Sequence, residues 1–271
     1  MIHIVTALHC EARPLIDSYR LRRVNDCKIF ALYRNDDIFL IVSGIGKLAA
    51  ATATGFLAAR SADSATGGWL NIGIAGHPDL ETGSVRLADR IIDHSSRQCW
   101  YPGLAGHATP AATLLTVDRV RDNFFMPACH DMEGSGFFSS AQRFAPTDNI
   151  QCLKIISDNQ TQSHDRVTPE IASQLIAGQC HEIGNVIRQL QTHSVILRQQ
   201  QAGTAELSLF LDHWHFTSTQ QHQLQRLLQR WQVLRPAEPA FNTELKTAPS
   251  AGQVIASLLQ RLDDTRIVFQ D

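Results

Sequence analysis

The sequence predicts an α/β fold with a mixed, mostly parallel central sheet flanked by helices, followed by an extra helical C-terminal extension. Three observations support this prediction. Short apolar segments with β-branched residues alternate with helical segments as far as Asp165. Beyond that residue the chain becomes helical and rich in glutamine. Hydrophobic residues make up 44% of the 271 residues and charged residues 18%, so the chain can bury a large core.

The elements of the first half follow from apolar runs and the turns that separate them. Strands are predicted at Ile2–Leu8, Cys27–Tyr33, Ile38–Ser43, Trp69–Ile74, Ser84–Leu87, Arg90–Asp93, Leu114–Val117 and Leu153–Ser157. Helices are predicted at Glu11–Arg20, at the alanine-rich segment Lys47–Arg60 and at Glu133–Phe144. Prolines and glycines between residues 95 and 112 indicate a loop.

The second half is predicted to be helical. Thr168, Pro169 and Glu170 form a helix start, and the helix should run to about Leu197. Two further apolar stripes predict helices. The first follows a Ser218/Gln221 capping pattern and consists of Leu224, Leu227, Leu228 and Trp231. The second consists of Val254, Ile255, Leu258, Leu259 and Leu262. We therefore expect an α/β domain over residues 1–197 and a helical extension over residues 198–271.

Composition argues against several classes of protein. The formal net charge of −2 lacks the basic excess of a nucleic-acid-binding protein. The apolar run at the amino terminus has no basic segment before it and is too short for a signal or a membrane span, so we expect a cytoplasmic protein that binds no membrane. Six scattered cysteines form no CxxC pair and are expected to be free thiols. The twelve histidines lack ligand spacing, so neither a metal nor a cofactor is expected.

Candidate functional residues follow the ends of predicted strands, where open α/β sheets bind their ligands. They lie in five segments: Glu11 in Ala7-Leu-His-Cys-Glu11, the turn Ser43-Gly-Ile-Gly-Lys47, Asn71-Ile-Gly-Ile-Ala-Gly76, Asp131-Met-Glu133-Gly-Ser, and Ile155-Ile-Ser-Asp158. Taken singly, each could be a helix-capping acid or a tight turn. Together, three acids beside glycine turns suit a reaction in which positive charge develops on a sugar while a proton reaches the leaving group.

In this order, the five segments resemble the purine nucleoside phosphorylase/uridine phosphorylase superfamily, nearest to methylthioadenosine/adenosylhomocysteine nucleosidase-like proteins. The resemblance covers about three-fifths of the chain, residues 1 to 165. It implies a nucleoside phosphorylase-like sheet and cleavage of the N-glycosidic bond of a purine nucleoside or 5′-modified nucleoside. It also implies a homo-oligomer, with a dimer favoured, and water or phosphate as co-substrate.

The resemblance implies a role for each matching residue. Glu11 would orient the attacking water, and Asp158 would protonate N7 of the departing purine or relay a proton to it. Glu133 would hold the ribose hydroxyls, and Met132 would line the sugar pocket. The glycine-bearing turns would contribute the remaining substrate contacts, at Gly44, Ala75 and Gly76.

This sequence departs from the family pattern in the segment that ends at Gly76. Ile74 stands where a Ser or Thr hydroxyl is usual, which favours hydrolysis over phosphorolysis. The carboxylate of Glu11 should also repel phosphate. Three cations remain as possible anion-binding residues, so a phosphorylase stays an alternative: Arg13, Lys47 and Arg86.

Two more departures concern the base and the C-terminal part. Val120, Phe124 and Phe125 lie near the place where an aromatic residue should stack on the base. About a hundred residues follow Asp158, and they could cover the site, build an oligomer interface or bind a partner. Two further alternatives are therefore a catalytically silent nucleoside-binding module and a structural protein whose acids only cap helices.

Overall fold

The computed structural model describes residues 1–103, 108–119, 124, 126–235, 238–242 and 245–264. The chain forms two compact units, Met1–Ser194 and Val195–Asp271. The division that we expected from the sequence, between residues 197 and 198, stays a prediction. None of the described helices combines the length and the apolar character needed to cross a bilayer.

Ten strands and seven α-helices are described. The strands are β1 Ile2–Thr6, β2 Arg22–Arg23, β3 Ala31–Arg34, β4 Ile38–Val42, β5 Gly68–Gly76, β6 Val85–Asp93, β7 Cys99–Trp100, β8 Ala111–Thr116, β9 Cys129–Asp131 and β10 Ile150–Asp158. The helices are α1 His9–Ser18, α2 Lys47–Ala59, α3 Gly134–Ala141, α4 Pro169–Gly178, α5 Cys180–His213, α6 Ser218–Leu234 and α7 Ala251–Asp263.

All ten strands belong to one sheet, in the order β10-β6-β8-β9-β5-β1-β4-β3-β2, with β7 beside β6. Because β10 also pairs with β5, the strands β10, β6, β8, β9 and β5 close into a ring. The mixed α/β fold predicted from the sequence is confirmed. The sheet is less parallel than predicted, since five of the ten described strand pairs are antiparallel, including those made by the short strands β2, β3 and β7.

Apolar side chains cover both faces of the sheet, as alternation along the strands requires. On β5, Trp69 belongs to one apolar cluster and Leu70 to the other. The first cluster includes residues of α2 and α3, and the second includes residues of α1, α4 and the first part of α5. The central strands are therefore buried on both sides, which leaves the strand ends to form a site.

The second compact unit has its own core. Both predicted apolar stripes belong to it, with Leu259 only partly buried, and Phe210 of α5 joins them. Helix α6 is capped by Thr217 with Gln220, one residue before the predicted Ser218/Gln221 pattern, since the Thr217 hydroxyl accepts from the Gln220 amide.

Four predicted elements differ from the structure. The strand expected at Cys27–Tyr33 begins only at Ala31 and ends at Arg34. The long helix expected from Thr168 to about Leu197 is two helices that meet at Gln179, although its N-cap, Thr168, is confirmed. The strands expected at Ser84–Leu87 and Arg90–Asp93 are one strand, β6, with an irregular register between Ala88 and Arg90. The expected loop 95–112 contains the short strand β7, because pairing with β6 satisfies its backbone groups.

Candidate active site

A cavity of about 240 Å³ lies at the carboxyl ends of β1, β5, β8, β9 and β10. Each of these strands either ends in residues that line the cavity or is followed directly by such residues. The lining residues are Ala7, Leu8, Glu11, Ile45, Ile74, Ala75, Gly76, Val117, Arg119, Phe124, His130, Asp131, Met132, Glu133, Ser157, Asp158, His164 and Val167. The cavity thus combines four carboxylates with an apolar wall.

Glu11 is held rigidly at the start of α1. Its Oε2 accepts hydrogen bonds from the amides of Ala7 (3.0 Å) and Leu8 (2.9 Å), and its Oε1 accepts one from the amide of Ile74 (3.0 Å). The residue is only 3% exposed. Burial raises the pKa of this carboxyl above its ordinary value, while the three amides and the nearby Lys154 act in the opposite direction.

Gly73 on β5 makes room for this carboxylate. A Cβ added there would lie 2.9 Å from Glu11 Oε1 and 3.5 Å from Lys154 Nζ. Any side chain would therefore have to displace the acid. The close approach of Glu11 to β5 therefore explains why position 73 is a glycine.

A buried ion pair lies beside Glu133. Lys154 Nζ contacts Asp131 Oδ2 at 2.7 Å, with both side chains almost fully buried. Asp131 also accepts hydrogen bonds from the Thr116 hydroxyl (2.7 Å) and the Gly134 amide (2.7 Å). Burial alone would lower the pKa of Lys154, but the charges of Asp131 and Glu133 raise it above its ordinary value. The ammonium therefore stays charged inside the protein.

Glu133 is the N-cap residue of α3 and presents its carboxyl group to the cavity. Its Oε1 accepts a hydrogen bond from the Gly46 amide at 2.8 Å. Burial raises its pKa to about 7, assisted by the charge of Asp131, while Lys154 and the Gly46 amide act in the opposite direction. Met132, the preceding residue, also lines the cavity. This arrangement leaves one Glu133 oxygen for a ligand.

Asp158 is the last residue of β10 and lines the cavity. Its Oδ1 accepts a hydrogen bond from the Ser157 hydroxyl at 2.6 Å. A Cβ added at Gly76 would lie 2.5 Å from Asp158 Oδ2 and 3.0 Å from the Phe124 ring. The Phe124 ring also packs edge-on against His130, with centroids 5.2 Å apart. An aromatic ring and an acid therefore lie close together at one part of the cavity.

Six of the ten site residues predicted from the sequence line this cavity: Glu11, Asp158, Met132, Glu133, Ala75 and Gly76. Gly44 does not line it; with φ +88° it forms the turn before α2, and its amide donates to the Ala7 carbonyl at 3.0 Å.

The three predicted anion-binding cations lie outside the lining of the cavity. Arg13 is exposed and pairs with Asp17 at 2.8 Å. Lys47 contacts Asp93 and Asp118, each at 2.8 Å. Arg86 donates to the Val85 carbonyl at 2.6 Å.

The sequence reasoning missed several lining residues, among them Arg119, His130 and His164. Arg119 is exposed and comes two residues after a predicted strand, which was a usable signal. Of the three aromatic-segment candidates, Phe124 lines the cavity, while Val120 and Phe125 lie outside the described residues.

The described lining carries a strongly acidic character, with Arg119 as its one Lys or Arg side chain. Such a site favours a substrate part that becomes positively charged and disfavours a bound anion. Over the described parts of the chain, no cluster of His, Cys, Asp and Glu is arranged to hold a metal ion.

Comparisons with known proteins give a fold. No family model matches the chain, and no curated protein does. A futalosine hydrolase of Helicobacter pylori is similar in structure at 16% identity, with 69% of this chain and 97% of that chain covered and a TM-score of 0.58. The 5′-methylthioadenosine nucleosidase of Arabidopsis thaliana is similar at 18% identity, with coverage of 70% and 95% and a TM-score of 0.58.

A third solved structure carries a ligand. It is the 5′-methylthioadenosine/S-adenosylhomocysteine nucleosidase of Colwellia psychrerythraea in complex with adenine, at 18% identity, with coverage of 70% and 95% and a TM-score of 0.58. At these identities the likeness concerns the fold. The chain shares the fold of these solved nucleosidases and of the futalosine hydrolase.

Proposed function

We propose that this protein hydrolyses the N-glycosidic bond of a purine nucleoside or a 5′-modified nucleoside. One observation carries the proposal: Glu11, Glu133 and Asp158, distant in sequence, line a single cavity with Ala75 and Gly76. Cleavage of this bond produces a cationic, oxocarbenium-like sugar and a base that leaves more easily once protonated. Carboxylates beside the sugar and an acid beside the base serve both needs.

Glu11 and Glu133 act on the sugar side. Three backbone amides fix the Glu11 carboxylate, so it can orient an attacking water and accept a proton from it without moving. Glu133 uses Oε1 for the Gly46 amide, and its other oxygen is available for the ribose hydroxyls. Met132 supplies an apolar wall to the sugar.

Asp158 and Phe124 act on the base side. The Ser157 hydroxyl occupies Oδ1 of Asp158, which leaves Oδ2 to donate a proton to N7 of the purine. Phe124, which lies next to the same part of Gly76, offers a ring on which the base can stack. The proton given to the base departs with it. Glu11 keeps the proton of the attacking water until it passes to solvent, and Asp158 takes up a proton from solvent before the next cycle.

Water is favoured over phosphate as the nucleophile. The carboxylate of Glu11, beside the proposed position of the nucleophile, would repel a phosphate dianion, and Ile74 offers it no hydroxyl. Arg13, Lys47 and Arg86 are placed away from the lining. Arg119 is the described lining cation that keeps phosphorolysis as the alternative.

The experiment is a panel assay of base release with and without phosphate. Adenosine, inosine, methylthioadenosine, adenosylhomocysteine and futalosine are the substrates, because the similar solved structures are named for three of them. Hydrolysis predicts free base at a rate that phosphate leaves unchanged. A rate that requires phosphate would show a phosphorylase. Thermal stabilisation by a nucleoside without product would show a silent binding module.

Substitutions of the three acids test the role of each in cleavage. Glu11→Gln, Glu133→Gln and Asp158→Asn should each lower turnover by about a hundredfold or more, in the range of a lost acid or base. Asp17→Asn is the matched control, because Asp17 is an exposed acid of α1 that pairs with Arg13. No turnover of any substrate by the wild type would refute the enzyme assignment.

A further inference from the structure

Lys47, the first residue of α2, lies outside the cavity but at the centre of a polar cluster. Its ammonium donates to Asp93 Oδ2 (2.8 Å), lies 2.8 Å from Asp118 Oδ1 and donates to the Ser95 hydroxyl (3.3 Å). Asp93 ends β6, and Asp118 comes shortly after β8. We call Lys47, Asp93, Ser95, Asp118 and Ser135 the Lys47 cluster. One side chain thus joins α2 to the ends of two strands.

Asp93 and Asp118 stabilise the Lys47 ammonium in the first turn of α2. A cation in the first turn of a helix is disfavoured by the helix dipole, and the first turn of α2 contains no acid of its own. Burial lowers the pKa of Lys47, but Asp118 and Asp93 raise it above its ordinary value. Burial raises the pKa of Asp93, but hydrogen bonds led by that of Lys47 hold it below its ordinary range.

The cluster also joins α2 to α3, where the candidate ribose-binding acid begins the helix. The Ser135 hydroxyl donates to Asp93 Oδ2 at 2.9 Å, the same oxygen that receives the Lys47 ammonium. A Cβ at Gly136 would overlap the Lys47 carbonyl oxygen, so the two helix starts are in direct backbone contact. A second link between the two helix starts comes from the Gly46 amide, next to Lys47, which donates to Glu133 Oε1.

A second branch of the cluster reaches the wall of the cavity. Asp118, held by Lys47 and by the Ser95 hydroxyl, stands between Val117 and Arg119. Both of these neighbours line the cavity. Lys47 therefore follows directly on Gly46, which donates to Glu133, and also holds Asp118 of the 117–119 segment.

We propose that Lys47 is a positioning residue for nucleoside binding, which aligns the Glu133 carboxylate with the ribose. This rests on the proposed function and deepens it. Lys47 does not line the cavity and is not a catalytic residue. Its loss should weaken contacts to the sugar and leave contacts to the free base unchanged, because the base side is built from Asp158 and Phe124.

The test uses Lys47→Met, Lys47→Arg and Ser135→Ala, with Arg60→Met as the matched control. Arg60 follows the other end of α2 and forms an exposed pair with Asp26 at 2.7 Å. We expect Lys47→Met to raise the nucleoside KM about tenfold, with a smaller change in kcat and an unchanged Kd for free adenine. That pattern is loss of uniform binding energy at the sugar. Lys47→Arg should restore most of the affinity, because it keeps the charge.

A second readout does not depend on turnover. The Gly46 amide should exchange its hydrogen at least about tenfold faster in Lys47→Met and Ser135→Ala, because its acceptor is no longer held. Arg60→Met should leave that exchange rate unchanged. If Lys47→Met does not fold, Ser135→Ala decides, since it breaks the Asp93 link without removing a charge.

The outcomes separate the two proposals. Unchanged exchange at Gly46, or a nucleoside KM within twofold of the wild type, would overturn the positioning role. An equal loss of adenine affinity would also overturn it, because that is general damage to the fold. If the wild type cleaves no nucleoside, the proposed function fails, and the Gly46 exchange rate still shows whether Lys47 holds Glu133.

Discussion

The Lys154 ammonium lies 2.7 Å from the Asp131 carboxylate, and both side chains are almost completely removed from water. The charge of Lys154 also acts on Glu11 and Glu133, where it opposes the rise in pKa that burial causes. The site therefore places one buried cation among several buried acids. Without it, those acids would have to bind protons or leave the interior.

Replacement of Lys154 by Met should destabilise the protein strongly. The variant leaves Asp131 buried with hydrogen bonds from Thr116 and Gly134 but without its counter-ion. Removal of one partner of a buried ion pair costs about 3–5 kcal/mol. Urea unfolding followed by circular dichroism at pH 7 measures the loss.

Two controls accompany this measurement. Arg60→Met breaks the exposed pair with Asp26 and should leave the stability nearly unchanged, because solvent screens such a pair. The double variant Lys154→Met/Asp131→Asn removes both charges and should recover part of the stability lost in Lys154→Met. A loss below about 1 kcal/mol in Lys154→Met would contradict a buried pair.

Substitution of Gly73 by Ala should impair both stability and cleavage. The new Cβ would lie 2.9 Å from Glu11 Oε1, so the carboxylate must move away from the Ile74 amide. Overpacking of this kind costs about 1–3 kcal/mol. We expect a drop in kcat larger than the change in KM, measured by base release and urea unfolding on the same preparation.

Gly55→Ala is the matched control for that substitution. Gly55 lies inside α2, and a Cβ there would meet nothing within 4 Å. Helix propensity then predicts a gain of about 0.5–1 kcal/mol with unchanged cleavage. If Gly73→Ala were as stable and active as Gly55→Ala, the close approach of Glu11 would not matter to the reaction.

Apolar runs made much of the fold predictable, because a buried strand and its end can be recognised from a few consecutive residues of the sequence. The strand that ends at Ile74 in the prediction and at Gly76 in the structure is one example. Glu11 and Asp158 could be proposed as site residues because each follows such a run. The assignment of their roles stays a prediction.

Partners across the sheet were not predictable in the same way. Lys154 stands in an apolar run, which indicates a buried charge, but its pairing with Asp131 depends on the closure of β10 onto β5 and β6. Lys47 was one of three cations that the sequence left as possible anion-binding residues. Its contacts, Asp93 and Asp118, are far along the chain and are brought to it by β6 and β8.

The buried histidine of β1 should lower the stability of the folded protein as the pH falls below 6.5. His3 stacks on Trp69 with ring centroids 4.2 Å apart, and its Nε2 lies 2.7 Å from the Ser61 hydroxyl. Burial lowers its pKa from 6.5 to about 4. The folded state therefore binds this proton less readily than the unfolded state, so the stability present above pH 6.5 is lost as the pH falls towards 4.

The size of that loss follows from the shift in pKa, at roughly 1.4 kcal/mol for each unit. His3 alone should contribute a loss of about 3 kcal/mol between neutral pH and pH 4. His3→Phe keeps a ring on Trp69 and removes the titrating group. Urea unfolding at several pH values should show a smaller acid-induced loss in this variant, and an equal loss would assign the effect to other residues.

Glu133 should make nucleoside binding depend on pH near neutrality. Burial and the charge of Asp131 raise its pKa to about 7. Ribose hydroxyls donate more strongly to a carboxylate than to a carboxylic acid, so the ionised form binds better. We therefore expect kcat/KM to fall as the pH drops below 7, approaching about tenfold for each pH unit.

The pH profile of base release from the best substrate measures this effect. Glu133→Gln should lose that acid limb along with most of its activity, whereas Asp17→Asn, an exposed acid on α1, should keep both the limb and its midpoint. A midpoint near 4.5, the ordinary value for a glutamate, would mean that burial and Asp131 do not hold this carboxyl in its neutral form. A limb that persists unchanged in Glu133→Gln would assign the titration to another group and remove the physical basis for Glu133 as the ribose-binding acid.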